Sequence, residues 1–200
     1  MRKIVVVSMI SLDGVMQAPG GPEEDTSGGF KHGGWTWAYS DEFSRKTYEK
    51  EFSGEYDLLL GRKTYDIWVD YWPKQKGPIA DPFNRATKYV VSHHDNGLTW
   101  DKTVLIDGDV VAKLKKLKAE DGPMLSVQGS ANMIQTLLKN DLVDELWLRI
   151  YPITLGQGKR LFGEGTIPAA FKLMDSKTNS KGLIFAYYKR AGDVKTGSLA

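Results

Sequence analysis

The sequence predicts an α/β fold with a mixed, mostly parallel central sheet, flanking helices and a C-terminal antiparallel hairpin. Residues Lys3–Ser8 form a continuous β-branched run, which is typical of a central strand covered on both faces. Strand and helix patterns then alternate as far as residue 140, as they do in proteins with a parallel sheet. A run of strands follows, which indicates antiparallel additions at one side of the sheet.

The elements follow one another in a regular order. A helix capped by Ser40 or Asp41 is predicted to reach about Phe52, and a second helix starts after Gly61 and ends at Pro73. The intervening segment 74–86 is predicted to be loop. The other predicted elements are strands Tyr56–Leu60, Lys88–Ser92 and Thr103–Ile106, helix Val110–Ala119, strand Met124–Gln128, helix Ala131–Lys139 and strand Glu145–Ile153.

The C-terminal part is predicted to form a hairpin from strands Phe171–Ser176 and Leu183–Lys189, with its turn at Asn179–Gly182. We expect a single domain over residues 1–190, because no convincing domain boundary interrupts it. Residues 191–200 are expected to form a loose tail.

A long segment, residues 13–38, is rich in glycine, proline and aromatic residues. It is too long for an idle connection in a compact domain, and long loops are usually functional or disordered. Its Phe30, Trp35 and Trp37 favour an ordered flap, because disordered segments are poor in aromatic residues. Trp35 and Trp37 are candidates to stack on a flat heterocyclic substrate, and the alternative is that they plug the core.

Composition excludes several classes of function. The 27 basic and 25 acidic residues give a net charge of +2, which argues against a nucleic-acid-binding protein. The chain has no cysteine, so disulfides, thiolate zinc sites and cysteine nucleophiles are excluded. No segment approaches the roughly 20 apolar residues of a membrane span. We therefore expect a cytoplasmic protein that contacts neither nucleic acid nor membrane.

Two junctions share one design, in which a strand ends at a glycine and a helix begins. The first is Gly61-Arg62-Lys63-Thr64 and the second is Gly129-Ser130-Ala131-Asn132. Helix N-termini with small residues are ready-made phosphate sites, and ligands of open α/β sheets lie beyond the carboxyl ends of the strands. Arg62 and Lys63 stand at the positive end of a helix dipole, where a bound phosphate would make them favourable. The alternative is that both side chains simply point into water.

A third strand ends in Ser92-His93-His94, which is a candidate site for the phosphate on an NADP ribose. Adjacent histidines point to opposite sides, and the remaining histidine, His32, lies in the flap, so no metal site is expected. A solvent-exposed pair is the main alternative. The sequence lacks a full G-x-G-x-x-G fingerprint and a P-loop, which disfavours a standard Rossmann domain and a nucleotide triphosphatase.

In combination, four segments resemble the dihydrofolate-reductase-like superfamily, and within it most closely the reductase domain of riboflavin biosynthesis, the RibD C-terminal type. The resemblance covers roughly residues 2–190. The segments are SLDGV (11–15), GRKTYDIW (61–68), KYVVS (88–92) and QGSANMIQTLLKNDLVDELWLRIYPITLGQGKRLF (128–162).

This resemblance implies a three-layer fold with NADPH bound at the two junctions. It implies that Gly61–Thr64 bind phosphates, that Ser92 contacts the adenosine 2′-phosphate with His93 as helper, and that Gly129–Asn132 receive the pyrophosphate. Gly14 and Val15, with Asp13 on the substrate side, would belong to a loop beside the nicotinamide. For the single carboxylate of the substrate pocket, Asp41 is the catalytic candidate, although it is equally well explained as a helix cap.

The leading hypothesis is an NADPH-dependent reductase of a small heterocycle, similar to 5-amino-6-(5-phosphoribosylamino)uracil reductase or dihydrofolate reductase. The flap lacks a clear folate-type proline–tryptophan motif, and the chain lacks the zinc signature of a fused deaminase. The alternative is a non-catalytic NADP(H)-binding or regulatory protein on the same fold. The resemblance also implies a homodimer.

Overall fold

The computed structural model describes residues 1–198 and places eight β-strands and five α-helices in them. The strands are β1 (Ile4–Ser11), β2 (Tyr56–Gly61), β3 (Lys88–Val91), β4 (Thr103–Ile106), β5 (Met124–Val127), β6 (Glu145–Tyr151), β7 (Phe171–Thr178) and β8 (Ile184–Arg190). The helices are α1 (Glu42–Phe52), α2 (Arg62–Val69), α3 (Ala80–Arg85), α4 (Val110–Ala119) and α5 (Ala131–Lys139).

The strands form one sheet in the order β4-β3-β2-β5-β1-β6-β8-β7. Strands β4 to β6 in this order are mutually parallel, whereas β8 runs antiparallel to β6 and β7 antiparallel to β8. Strand β1 lies between β5 and β6, and its Ile4, Val5 and Val6 are fully buried. The predicted α/β fold, with a mixed, mostly parallel sheet and a C-terminal antiparallel hairpin, is confirmed.

The side chains of β1 alternate between two apolar layers, one on each face of the sheet. Ile4 and Val6 pack with the leucines of α4 and α5. Val5 and Val7 pack in the other layer, with Tyr65 of α2. Full burial of such a side chain contributes about 1.5–3 kcal/mol relative to an exposed one. The continuous β-branched run therefore marks a strand that is covered on both faces.

Helix α3 occupies residues 80–85, where the sequence predicted a loop. Its Phe83 ring packs against Trp68 and Trp72, with ring centroids 5.1 and 4.8 Å apart. Pro82 lies in the first turn of the helix, where proline is tolerated. A helix of six residues is marginal by itself, so these aromatic contacts stabilise it. The loop prediction was wrong because short-range patterns do not report such contacts.

Helix α2 is shorter than predicted. It ends at Val69, and Trp72–Lys74 form a separate 3₁₀ turn that contains Pro73. Proline lacks the backbone N–H that a continuing α-helix needs, and it disfavours helical backbone in the residue before it.

Among the described residues, no helix combines the length and the apolarity that crossing a bilayer requires.

Strands β7 and β8 form the predicted hairpin, although β7 extends to Thr178 and β8 to Arg190. In the turn, Asn179 Oδ1 accepts hydrogen bonds from the backbone N–H groups of Lys181 and Leu183, each at 2.9 Å. Beyond β8, residues 191–198 contain neither helix nor strand, and residues 199–200 of the expected tail lie outside the described part. The division at residue 190 stays a prediction.

The flap, residues 13–38, folds against the sheet through the buried side chain of Gln17. Gln17 Nε2 donates to the carbonyl oxygens of Asp25 and Ser27, each at 2.9 Å, and Gln17 Oε1 accepts from the backbone N–H of Lys159 at 3.0 Å. The indole of Trp35 donates to the Gln17 carbonyl at 2.8 Å. A buried amide whose donor and acceptor are both satisfied fixes the path of the backbone around it.

Helix α1 covers a buried ion pair. Arg149 of β6 bonds to Glu51 of α1, and their side chains are 2% and 8% exposed. Tyr187 of β8 donates its hydroxyl to the same carboxylate. A buried charge without its partner is strongly destabilising. The pair therefore fixes how α1 is seated on the antiparallel side of the sheet.

We expect the substitution Glu51→Gln to lower the free energy of unfolding by about 3–5 kcal/mol, because it leaves the Arg149 charge buried and uncompensated. Chemical denaturation measures the change. Glu49→Gln on the same helix, which breaks an exposed pair with Arg45, should change that free energy by less than about 1 kcal/mol. Equal effects of the two substitutions would show that the buried pair contributes no more to the free energy of unfolding than the exposed pair does.

Candidate active site

The two strand–glycine–helix junctions lie side by side. Strands β2 and β5 are neighbours, and the backbone N–H of Gly61 donates to the carbonyl oxygen of Gly129 at 3.0 Å. A Cβ atom on Gly61 would overlap the Ser130 side chain, and one on Gly129 would overlap the Thr64 hydroxyl. Glycine at both positions thus allows the two junctions to touch.

Within the described part of the chain, the helices that begin at these junctions have no side-chain cap. Neither Gly61 before α2 nor Ser130 before α5 makes a capping side-chain hydrogen bond, whereas Asp41 and Asp109 cap α1 and α4. The first N–H groups of a helix have no partner within the helix, and they bind anions when no side chain occupies them. Two adjacent uncapped helix starts can therefore bind a ligand with more than one phosphate.

Arg62 and Ser92 are also brought together. The Arg62 guanidinium lies 3.4 Å from Ser92 Oγ and 3.2 Å from the carbonyl oxygen of His94, while its Nε pairs with Asp66 at 2.7 Å. His93 is exposed beside them. This edge of the sheet, where β3 ends, thus has a cation and a hydroxyl next to the α2 junction.

A cleft of about 230 Å³ opens beside the junctions, against residues 7–9 of β1 and beyond the carboxyl end of β5. Ligand pockets usually measure about 300–1,000 Å³, so this cleft encloses a ring-sized group and leaves the rest of a larger ligand outside. Its walls are residues 7–9 of β1, residues 16–20 and 24–25 of the flap, Lys63, Thr64, Ile67, Trp68, Trp72, residues 128–131 and Lys159.

Two residues of the cleft wall each have a buried side-chain donor without a hydrogen-bond partner among the described residues. They are Gln128 Nε2, directly before the Gly129 junction, and Trp72 Nε1. A buried donor without a partner costs about 1–3 kcal/mol. A ligand that reaches these donors would satisfy them with acceptor atoms such as carbonyl oxygens.

The flap contributes two carboxylates to the cleft. Glu24 accepts hydrogen bonds from the backbone N–H groups of Gly20 and Gly21, at 2.6 and 3.3 Å. Burial raises the pKa of Glu24 above its ordinary value, although these hydrogen bonds act in the opposite direction. A carboxyl group that stays protonated to a higher pH is suited to donating a proton.

The second carboxylate, Asp25, lies between two ammonium groups. Lys63 Nζ and Lys159 Nζ are each 2.6 Å from it, on different oxygens. Burial acts to raise the pKa of Asp25, but hydrogen bonds from Lys159, Lys63 and Ser27 outweigh it and hold that pKa below its ordinary value. Asp25 is therefore ionised.

Asp41, the catalytic candidate from the sequence, is not in the cleft, and this placement corrects that expectation. Its Oδ1 accepts from the N–H and hydroxyl of Ser44, and its Oδ2 from the N–H and hydroxyl of Ser180. The Ser44 bonds are the main cause that lowers the pKa of Asp41. The carboxylate caps α1 and holds the hairpin turn, which is the alternative that the sequence left open.

The flap tryptophans also lie away from the cleft walls. The Trp35 ring packs edge-on against Tyr151, with centroids 5.1 Å apart, so it plugs the core. Trp37 is 85% exposed. The aromatic side chains that do line the cleft, Trp68 and Trp72, follow the first junction instead. The expected stacking role of Trp35 and Trp37 thus has no geometric support.

Asp13, Gly14 and Val15 form the turn after β1 and do not line the cleft. Asp13 accepts from the N–H groups of Leu155 and Gly156, at 3.0 and 2.8 Å, and the Ser11 hydroxyl is the main cause that lowers its pKa to about 2. Val15 is fully buried. The loop residues that reach the cleft are 16–20 instead.

Asn132, expected at the pyrophosphate, is exposed on α5 and is not among the lining residues.

Sequence reasoning missed Glu24, Asp25, Gln128 and Lys159 as cleft residues. Gln128 could have been found, because it ends a strand directly before the glycine of a predicted junction. Lys159 lies in the segment LGQGKRLF, which belongs to the resemblance to the family. Its sequence pattern does not predict where this segment lies relative to the junctions. Glu24 and Asp25 had no signal, because the flap has neither helical nor strand periodicity.

The family model described as the RibD C-terminal domain matches residues 2–185 of this chain. Protein YyaP of Bacillus subtilis (strain 168) is 28% identical over 193 residues, which cover 94% of either chain. Protein YwjB of the same organism is 26% identical over 192 residues, covering 94% of this chain and 98% of YwjB.

Solved structures share the fold. A protein of Shewanella sp. PV-4, provisionally described as a riboflavin biosynthesis protein, superimposes with a TM-score of 0.64 at 22% identity, covering 94% of this chain and 99% of that one. Dihydrofolate reductase from Enterococcus faecalis, complexed with NADP(H) and RAB-propyl, gives 0.60 at 14% identity, covering 94% and 96%. A pyrimidine reductase-like protein from Corynebacterium diphtheriae also gives 0.60 at 14%, covering 96% and 93%.

The junction contact predicts that Gly61→Ala lowers the free energy of unfolding by about 1–3 kcal/mol, the usual cost of overpacking. Gly61 has an ordinary φ of −75°, so the loss would come from the overlap with Ser130 and not from backbone strain. Urea unfolding measures it. Gly54→Ala, where an added Cβ meets nothing within 4 Å, is the matched control. A Gly61→Ala variant as stable as this control would contradict the tight contact.

Proposed function

Because this chain belongs to the RibD C-terminal domain family, we propose that it is an NADPH-dependent reductase of a small heterocyclic substrate. The observation that carries the proposal is the contact between Gly61 and Gly129, which sets two uncapped helix starts side by side at one end of the cleft. The Enterococcus faecalis enzyme with this fold is complexed with NADP(H), which supports the same choice of cofactor.

The residues present fit such a cofactor. The uncapped starts of α2 and α5, which the two glycines allow to lie side by side, would hold the pyrophosphate. Arg62 and Ser92, with exposed His93 beside them, would hold the adenosine 2′-phosphate. A guanidinium and a hydroxyl at this position favour a phosphorylated ribose over a plain one, because charge-assisted hydrogen bonds are the stronger kind.

When bound, NADPH supplies a hydride, and the protein's residues bind, orient and protonate. Gln128 Nε2 and Trp72 Nε1 are the donors that would orient a carbonyl-bearing ring in the cleft. Of the two flap carboxyl groups at the cleft, Glu24 is the one whose pKa is raised, so we assign it the role of proton donor. The flap backbone around Gly20 and Gly21 keeps it at the cleft wall. Pyrimidine and pterin rings are the substrate class with these properties, as in 5-amino-6-(5-phosphoribosylamino)uracil reductase or dihydrofolate reductase.

The expected homodimer and the expected location in the cytoplasm stay predictions. The edge strand β7 exposes Leu173 and Met174, by 48% and 58%, and is the surface on which a second copy would be sought.

The cofactor assignment predicts that Arg62→Gln weakens NADPH binding by about 10-fold or more while NADH binding changes little, because one charge-assisted contact to the 2′-phosphate contributes about 1.5–3 kcal/mol. Fluorescence titration of the protein with each nucleotide measures this. Arg45→Gln removes the same charge from α1 and should leave both affinities unchanged. Equal losses for NADPH and NADH would contradict the 2′-phosphate role.

The proton assignment predicts a sign for the pH dependence. Since burial raises the pKa of Glu24, the active, protonated form persists at low pH, and the rate of NADPH oxidation falls as pH rises through that pKa. Glu24→Gln should lower the rate by about 10²–10⁴-fold and leave NADPH affinity intact. The assay uses a panel of pterins, folates and aminouracil ribosides.

The controls separate this role from two others. Glu23→Gln alters a neighbouring exposed carboxylate and should keep the wild-type pH profile. Asp41→Asn should keep it as well, since Asp41 caps α1. A loss of the pH dependence in Asp41→Asn would restore the candidate from the sequence. Tight NADPH binding without turnover of any substrate in the panel would favour the non-catalytic alternative.

A further inference from the structure

The Asp25 carboxylate occupies a compact set of donors at the cleft. Lys63 Nζ and the Ser27 hydroxyl each lie 2.6 Å from its Oδ1, and Lys159 Nζ lies 2.6 Å from its Oδ2. The Ser27 hydroxyl in turn contacts both ammonium groups, at 3.0 and 2.8 Å. Three elements supply these groups: the flap, the first turn of α2, and the segment after β6.

The charges of this set do not cancel. Two ammonium groups face one carboxylate, so one positive charge is left over. Asp25 is 11% exposed, whereas Lys63 and Lys159 are 47% and 35% exposed, so a ligand in the cleft can reach both lysines. A phosphate dianion would match two ammonium groups in charge and would offer more acceptor oxygens than a carboxylate.

The Asp25 side chain can leave this position without unfolding the flap. The backbone carbonyls of Asp25 and Ser27 are held by Gln17 Nε2, independently of the carboxylate. The bond from the Lys159 backbone N–H to Gln17 Oε1 keeps the segment after β6 in place as well. A rotation of the Asp25 side chain is therefore enough to free the two lysines and Ser27.

We propose that Lys63, Lys159 and Ser27 form a phosphate-binding site in which Asp25 is an internal competitor that an incoming phosphate group displaces. The proposal rests on the proposed function for the identity of the ligand, but the site itself is defined by its donors. The phosphate could belong to the cofactor or to a phosphorylated substrate. Partly exposed ion pairs contribute little individually, so a more highly charged ligand can replace them.

The test is the effect of Asp25→Asn on the binding of inorganic pyrophosphate, NADPH and ribose 5-phosphate, measured by calorimetric titration at fixed ionic strength. Removal of a competitor should tighten binding by roughly 2- to 30-fold, the range that two partly exposed ion pairs correspond to. Glu23→Gln removes the same charge two residues away and should change nothing. Lys159→Gln should weaken binding in the wild type and in Asp25→Asn.

The three ligands distinguish the sources of the phosphate. Tighter NADPH binding in Asp25→Asn assigns the site to the cofactor, and an effect confined to ribose 5-phosphate assigns it to the substrate. Unchanged or weaker binding of all three ligands would overturn the proposal and leave Asp25 as a clasp for the flap. Tighter pyrophosphate binding in a protein that does not bind NADPH would keep this site and refute the proposed cofactor. Asp25→Ser is the second variant, should Asp25→Asn fail to fold.

Discussion

The candidate site depends on the contact between the backbones of Gly61 and Gly129. Strands β2 and β5 pair with each other. Pairing of two strands does not by itself bring the first residues of the following helices, α2 and α5, into contact. That proximity requires each junction to lack a side chain, because a Cβ on either glycine would overlap a residue of the other junction. The same contact places Thr64 beside Gly129, and both residues belong to the part of the cleft wall that the junctions supply.

Specific acidic partners explain why two cations, Arg62 and Lys63, are tolerated at the start of α2. Arg62 and Lys63 stand where the dipole disfavours positive charge, and from the sequence alone a bound phosphate or free solvent would each explain them. The structure supplies a third explanation, because Asp66 pairs with Arg62 and Asp25 pairs with Lys63. Each of these cations thus has an acidic partner within the protein itself, although Lys63 shares Asp25 with Lys159. The uncapped helix starts are therefore stronger support for a ligand than the cations are.

The sequence predicted those parts of the molecule in which neighbouring residues determine the outcome. The run IVVV specified a strand covered on both faces, and each strand–glycine–helix pattern specified a junction. Residues whose roles depend on distant partners were not accessible in this way. Asp41 has the residue type of a catalytic acid, but Ser180, far along the chain, completes its role as a cap. Trp35 and Trp68 are the same residue type, and only the path of the flap decides which of them reaches the cleft.

The contacts of α1 explain why the carboxyl groups of the cleft come from the flap and not from this helix. Its inward side carries Glu51 and Tyr48, which are engaged with Arg149 and Tyr151 at the antiparallel side of the sheet. A carboxyl group for the cleft therefore has to come from another element, and the flap provides Glu24. Burial and the charge of adjacent Asp25 both raise the pKa of Glu24, although hydrogen bonds from Gly20 and Gly21 act in the opposite direction. Residues 24 and 25 thus join two properties in one dipeptide: burial raises the pKa of one carboxyl group, and the other pairs with the two lysines that would face an incoming phosphate.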